Sequence, residues 1–269
     1  MARPNVLLYR LELAVMVRVR SSAHLLWTLR RFFDCIDCRL GRALMSIPFD
    51  DRSSDPPIHG FLHLPSSVAW SAMVLTHGAG SDCDAKLLVE MSSAFEASGI
   101  GVLRLNLPFR EARPHGPPSP SGASRDRDGI RRAIAAMRER TKGQLFVGGH
   151  SYGGRQASML VSEEPGLVEG LFLLSYPLHP PREPDQLRTS HFPKLTKPTF
   201  FVHGTRDPFA SIEEMKSAVE LISAPHFVCE VERAGHDLLS KKSSNELPAR
   251  VVREFGKFMK GIVSGESSS

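Results

Sequence analysis

From residue 46 onward, short continuous apolar runs alternate with stretches whose apolar positions recur at helical spacing. The runs are Ile58 to Leu64, Ala72 to Thr76, Ile100 to Leu105, Gln144 to Gly148, Leu171 to Ser175, Thr199 to Val202 and Phe227 to Val231. Most stay apolar from end to end, as strands covered on both faces do. Between them, helices are predicted at roughly Asp84 to Ser98, Gly129 to Arg140, Gly154 to Ser162, Ser211 to Ile222 and Ala249 to Val263. Ser211 followed three residues later by Glu214 is a capping-box signature, and Gly99 suits the left-handed turn past a helix end. The alternation predicts an α/β fold: a mostly parallel central sheet of about seven to eight strands with helices on both faces.

Two stretches break the rhythm. Pro108 to Gly129 holds five prolines between Pro108 and Pro120, together with Arg110, Arg113, Arg125 and Arg127. It is expected to be a long irregular loop, functional or mobile. Tyr176 to Pro198 is similarly proline-rich and too short for a large separate cap, so a minimal cap is expected. Residues 264–269, Ser-Gly-Glu-Ser-Ser-Ser, have nothing to bury and are expected to fray as a disordered tail.

The 269 residues are 41% hydrophobic and 23% charged, which excludes a disordered chain, a collagen or a small disulfide knot. The net charge of +5 resides entirely in residues 1–44, where eight arginines face only Glu12, Asp34 and Asp37. The remainder is neutral, so no nucleic-acid-binding face is expected on it. No uncharged run in the first 44 residues approaches the ~20 that a bilayer span needs, so no integral membrane segment is expected. This Arg-rich extension suits an organelle-targeting or membrane-surface segment. The simpler expectation is that the ordered protein starts at Met45, with one domain over 45–263. Cys35 and Cys38 have the spacing of a redox pair or half a zinc site. Without a flanking βαβ pattern, and with Cys83 and Cys229 isolated, the spacing is read as chance. Four cysteines and no signal-peptide pattern point to a reducing compartment, the cytoplasm.

The sharpest chemical signal is Gly149-His150-Ser151-Tyr152-Gly153, a G-x-S-x-G between the apolar run "QLFVGG" and a predicted helix. A serine on such a strand-to-helix elbow sits on a tight turn that projects its hydroxyl above the sheet. The bland alternative is a glycine-rich turn carrying an idle serine. A serine hydroxyl is a poor nucleophile without a base and an orienting acid, in the chain order Ser, Asp or Glu, His. "PTFFVHGTRDPF" ends a buried run with Asp207, and "HFVCEVERAGHDL" ends another with His236. In a parallel sheet all three side chains then emerge on one edge. Asp237 adjoins His236 too closely in sequence to orient its ring, and Asp185 lacks a strand to fix it, so Asp207 is the favoured acid. His203 and His150 read as packed histidines.

"MVLTHGAGSD" places His77-Gly78-Ala79-Gly80 at a strand end, where small residues let amides approach a substrate oxygen. The two oxyanion donors are expected to be the amides of Ala79 and Tyr152. Arg110, Arg113 and Arg155 are positioned to bring positive charge to the mouth. Arg110 and Arg155 are the candidate substrate-binding residues, against the alternative of a solvated or ion-paired surface, or of Arg155 packing beside the elbow helix.

On "LTHGAGSD", "LRLNLPFRE", "GGHSYGGRQASML", "LSYPLHPP" and "FVHGTRDPF", the chain resembles the α/β-hydrolase superfamily over about residues 46–263. It is most similar to the dienelactone-hydrolase-like group, in the branch related to testis-expressed protein 30 and subunit 3 of the NSL acetyltransferase complex. The resemblance implies an α/β-hydrolase fold and the same Ser151, Asp207 and His236. Dienelactone hydrolases proper use a cysteine nucleophile, so their substrate is not carried over. The expected activity is a serine hydrolase, carboxylesterase- or thioesterase-like, cleaving a small-molecule ester or thioester of a small or exposed acyl group through an acyl-enzyme, with no cofactor and no metal. The rival reading, from relatives that act as scaffolds, is a non-catalytic protein-interaction module on the same fold.

Overall fold

Eight strands form one sheet in the order β1-β2-β4-β3-β5-β6-β7-β8. The computed structural model describes residues 46–66, 71–239 and 246–264. The expectations for residues 1–44, including Cys35 and Cys38, and for 265–269 of the tail lie outside them, while Ser264, expected in the tail, ends the last helix. The strands are β1 (Ile47–Asp51), β2 (Ile58–His63), β3 (Ser71–Thr76), β4 (Ile100–Asn106), β5 (Leu145–His150), β6 (Gly170–Leu174), β7 (Thr199–Gly204) and β8 (His226–Val231). The helices are α1 (Lys86–Ala97), α2 (Pro108–Ala112), α3 (Ala123–Arg138), α4 (Tyr152–Glu163), α5 (Ile212–Val219) and α6 (Leu247–Ser264). β1 and β2 pair antiparallel at one edge, and all pairs from β4 to β8 are parallel.

The period of two along each strand divides the core. Ala72, Val74, Leu145, Val147, Leu171 and Leu173 face one layer, which α3, α4 and α5 complete with Ile134, Leu160 and Met215. Met73, Leu75, Phe146, Phe172 and Phe200 face the other, completed by Phe95 of α1 and Phe255 of α6. There the Phe255 ring meets Phe95, Phe146, Phe172 and Phe200 edge-on, the favoured aromatic geometry. Both faces are therefore covered, which is why these strands read as continuous apolar runs.

The expected sheet is present, and it includes β1, which the hydrophobic pattern did not indicate. The irregular stretch expected at Pro108 to Gly129 is shorter than that. Pro108 occupies the first turn of α2 and Pro120 that of a 3-10 turn at Pro120–Gly122, positions where proline's missing N–H costs no helical bond. α3 then starts at Ala123, so its first two turns lie within the segment expected to be loop. The Ser211–Glu214 capping box is formed in both directions, and Gly99 has φ = 89°. Among the described residues no helix is long and apolar enough to cross a membrane.

Candidate active site

β5, β7 and β8 run parallel, so the turns after their C-terminal ends meet at one rim of the sheet. Ser151 occupies the turn between β5 and α4 at φ = 51° and ψ = −117°. This is backbone space that a residue with a side chain enters only at a cost of roughly 1–3 kcal/mol. The surrounding glycines make the turn possible. A Cβ on Gly153 would lie 2.5 Å from the His77 carbonyl oxygen, and one on Gly149 would overlap the Thr76 hydroxyl. Each of the two glycines thus lets the elbow press against the end of β3. The Ser151 N–H donates to the Leu174 carbonyl at 2.9 Å.

Asp207 follows β7 in a turn closed by its own N–H on the Gly204 carbonyl at 3.1 Å. Its carboxylate is sealed from solvent. It accepts from the Phe209 amide at 2.9 Å and from His236 Nδ1 at 2.9 and 3.1 Å. Burial pushes this carboxyl up, but the His236 hydrogen bond and charge and the Phe209 amide together outweigh it and hold the group below the usual carboxylate range. His236 follows β8, with Nε2 2.8 Å from Ser151 Oγ. A carboxylate can only accept, so Nδ1 carries the proton and Nε2 is left bare to accept from the Ser151 hydroxyl. The Phe209 ring lies against the imidazole with centroids 4.2 Å apart, and His150 Nε2–H donates to the His236 carbonyl at 2.9 Å. Hydroxyl, imidazole and carboxylate form one unbroken hydrogen-bonded chain at the rim.

The sequence from residue 69 to 263 matches the family described as "Alpha/beta hydrolase domain". The chain belongs to this family. Among solved structures, the chain resembles a dienelactone hydrolase from Anabaena variabilis, with TM-score 0.63 at 18% identity, covering 79% of this chain and 97% of that one. It also resembles Est1E from Butyrivibrio proteoclasticus, with TM-score 0.63 at 13% identity, over 80% and 99% of the two chains. A third is an alpha-beta serine hydrolase homologue from Coxiella burnetii, with TM-score 0.61 at 16% identity, over 78% and 96%. At these identities the likeness is one of fold.

The other site residues expected from sequence separate into two groups. Ala79, Tyr152 and Arg155 line, with Ser151, a cleft of about 530 Å³ that is open to solvent. The Tyr152 amide is the first of α4 and has no acceptor within its own helix. The Tyr152 hydroxyl is anchored on buried Asp126 at 2.6 Å, whose second oxygen accepts from the Phe109 amide at 2.9 Å. Arg110, expected to bind substrate, does not line that cleft. It is buried, and its guanidinium donates to the carbonyls of Ala79 at 2.7 Å, Ser81 at 2.9 Å and Pro114 at 2.8 Å. With the Arg113 carbonyl at 3.4 Å these account for four of its five N–H donors, and Arg110 acts as a strut that fixes the Ala79 turn. Of the rejected acids, Asp237 and Asp185 are both exposed. His203 is packed as expected, donating Nε2–H to the Ala210 carbonyl at 2.9 Å beneath Asp207.

Asp126, Phe209 and the His150 bond to the His236 backbone escaped the sequence reading, which placed His77 in the strand-end motif without giving its ring a role. His77 Nε2 accepts from the Leu107 amide at 3.0 Å and its Nδ1–H donates to the Gly78 carbonyl at 2.8 Å. Burial lowers its pKa to about 4, against the opposing pull of the Gly78 bond, so it stays neutral and rigid. Among the described residues no three His, Cys, Asp or Glu side chains gather to hold a metal ion.

Proposed function

We propose that this alpha/beta hydrolase is a serine hydrolase of the carboxylesterase or thioesterase kind, cleaving an ester or thioester of a small or exposed acyl group. The observation that supports it is the hydrogen-bonded chain from Asp207 through His236 to Ser151 Oγ, at 2.9 and 2.8 Å. Ser151 Oγ bonds to the substrate carbonyl carbon as its proton passes to His236 Nε2, and the carbonyl electrons move onto oxygen. The amides of Ala79 and Tyr152 receive that oxyanion. Collapse breaks the bond to the leaving alcohol or thiol, which takes the proton from His236. Water then gives a proton to His236 and its oxygen to the acyl carbon. The second collapse breaks the Oγ bond, returns the proton to Ser151 and frees the acid. Asp207 holds the ring tautomer throughout. In this reading the chain falls in the branch related to testis-expressed protein 30 and NSL complex subunit 3 and works in the cytoplasm, on a small molecule and without nucleic acid.

A fluorophosphonate probe tests the proposal. Labelling is expected in the wild type, absent in Ser151→Ala and strongly reduced in His236→Ala. On a panel of esters and thioesters from acetyl to long acyl, Ser151→Ala is expected to lower kcat by ~10⁶-fold. Folded wild-type protein that takes no label and turns over no ester would leave the non-catalytic scaffold in its place.

A further inference from the structure

Arg155 and Arg188 stand out among the arginines of this protein. Several surface guanidinium groups pair with carboxylates, Arg125 with Asp55, Arg131 with Glu164, Arg132 with Asp51 and Arg138 with Glu169, and others, such as Arg113 and Arg140, bond to backbone carbonyls. Arg155 and Arg188 both line the cleft that holds Ser151, and neither has an ion-pair partner among the described residues.

Arg155 lies in the first turn of α4, its amide bonded to the carbonyl of the capping Ser151 at 3.0 Å, which keeps the two residues close along the same cleft. Its Nε is buried without a hydrogen-bond partner, and its guanidinium approaches the Tyr176 hydroxyl. Arg188 is delivered from the segment after β6. Its carbonyl accepts the Tyr176 hydroxyl at 2.6 Å and its amide donates to Leu178 at 2.8 Å, which fixes the backbone. Its side chain makes only a long contact, 3.4 Å, to the Pro177 carbonyl. Glu183 is near enough for its charge to be felt by Arg188.

The two cations repel. Burial and then the Arg155 charge depress the Arg188 pKa, and the same pair of causes holds the neighbouring His191 neutral, with a pKa of about 4. A half-buried guanidinium without a counter-ion loses hydration and gains no partner. Two of them, with unfilled donors, border the open space in front of the Ser151 hydroxyl. An anion entering that space relieves their repulsion and meets forked donors suited to an oxyanion group.

We propose that Arg155 and Arg188 together bind an anionic group carried by the substrate itself, so that the preferred ester or thioester bears a carboxylate or similar oxyanion a few bonds from the scissile carbonyl. This inference rests on the serine-hydrolase reading of the same cleft, and it narrows the substrate class.

The test compares three aryl esters: a monoaryl glutarate, with the carboxylate on the acyl side; its methyl ester, neutral and of nearly the same shape; and 4-(butyryloxy)benzoate, with the carboxylate on the alcohol side. At least one anionic ester is expected to exceed the neutral one in kcat/KM by tenfold or more, and which one does so identifies the side of the bond that faces the arginines. That ratio is expected to fall at least tenfold in Arg155→Met and in Arg188→Met, to recover in part in Arg155→Lys, and to shrink as salt is raised. Independently of turnover, glutarate titrated into Ser151→Ala protein is expected to bind, and to bind at least tenfold more weakly once either arginine is replaced. Neutral and anionic esters cleaved equally well, with glutarate binding indifferent to both arginines, would overturn the proposal while leaving the hydrolase reading intact. Arginine-dependent glutarate binding by wild-type protein that takes no fluorophosphonate and cleaves no ester would do the reverse.

Discussion

The two walls of the cleft hold their reactive groups by different physics. At the elbow, position is set by exclusion: Gly149 and Gly153 have no side chains because backbone and hydroxyl atoms at the β3 end occupy that space, and Ser151 is forced to φ = 51°. Across the cleft, Asp207 and His236 are placed by hydrogen bonds. Asp207 is fixed through Gly204 and Phe209, the Arg206 amide donates to Ala234 at 2.9 Å, the Arg233 amide to Thr205 Oγ1 at 2.8 Å, and His150 grips the His236 carbonyl. Steric placement is nearly all-or-none, since packed backbone gives way by unfolding or not at all. Placement by hydrogen bonds is graded, titrates with pH and admits partial loss.

Among substitutions that leave Ser151 in place, the largest effect is expected on the hydrogen-bonded wall. In Asp207→Asn an amide replaces the acceptor that keeps the proton on His236 Nδ1. Its Nδ2–H₂ favours the other tautomer, which puts a proton on Nε2, facing the Ser151 hydroxyl. A loss of about 10⁴ in kcat, roughly 5 kcal/mol of barrier, is expected with the fold retained. Steady-state kinetics beside a circular dichroism melt checks both halves. A variant within tenfold of wild type would mean that the tautomer is held by something other than Asp207.

Gly153→Ala probes the opposite wall. Helix propensity alone favours alanine by ~1 kcal/mol, yet the new methyl meets the Thr76 hydroxyl and the His77 carbonyl. A net destabilisation of about 3 kcal/mol is expected by urea unfolding, with activity lost in proportion to folded protein. A stable, inactive Gly153→Ala protein would show that the elbow yields locally, and the division between the walls would fail.

How far the site could be read from sequence follows the same division. Continuous apolar runs revealed every strand covered on both faces, and the turns after three of them gave Ser151, Asp207 and His236, because parallel strands bring their ends to one rim. β1 was invisible: in Ile-Pro-Phe-Asp-Asp only Phe49 is buried, so the edge strand carries no apolar run. The first turns of α3 were lost in polar residues after a proline cluster, although Asp126 there is fully buried to anchor Tyr152. The arginines were the hardest. Residue type cannot tell a guanidinium bonded to several carbonyls, as in Arg110, from one left facing an open cleft, as in Arg155. That depends on which carbonyls a turn happens to present.

Acid is expected to weaken the hydrogen-bonded wall more gently. Burial keeps His203, beneath Asp207, below the ordinary histidine value, against the Ala210 bond and the Asp207 charge, so the unfolded chain takes up its proton first as pH falls. Asp207 is also depressed, so it too is protonated first in the unfolded chain, at lower pH. Both contributions are complete near pH 7; the His203 part is lost as pH drops below about 6.5 and the Asp207 part below about 4. His77, at about 4, adds the same sign from the elbow side, so the division is not absolute. Urea unfolding at pH 7 and pH 4.5 is expected to differ by on the order of 2 kcal/mol, with the lower stability in acid. Equal stability at the two values would mean that these histidines are not buried neutral.

The smallest effect offers the cleanest contrast with Gly153. Ser211 caps α5 just beyond the Asp207 turn: its hydroxyl accepts from the Glu214 amide at 3.2 Å, and the Glu214 carboxylate accepts from the Ser211 amide at 2.7 Å. Neither group touches the cleft, but α5 backs the Ala210 carbonyl that His203 holds. Ser211→Ala removes one of the two reciprocal bonds and leaves the helix core in place, so a loss of about 1 kcal/mol of stability is expected. Turnover is expected to stay within about threefold, because a wall built from many separate hydrogen bonds absorbs the loss of one. If Ser211→Ala instead depressed kcat toward the level of Asp207→Asn, the turn after β7 would behave as a single cooperative unit. The hydrogen-bonded wall would then be as brittle as the elbow opposite it.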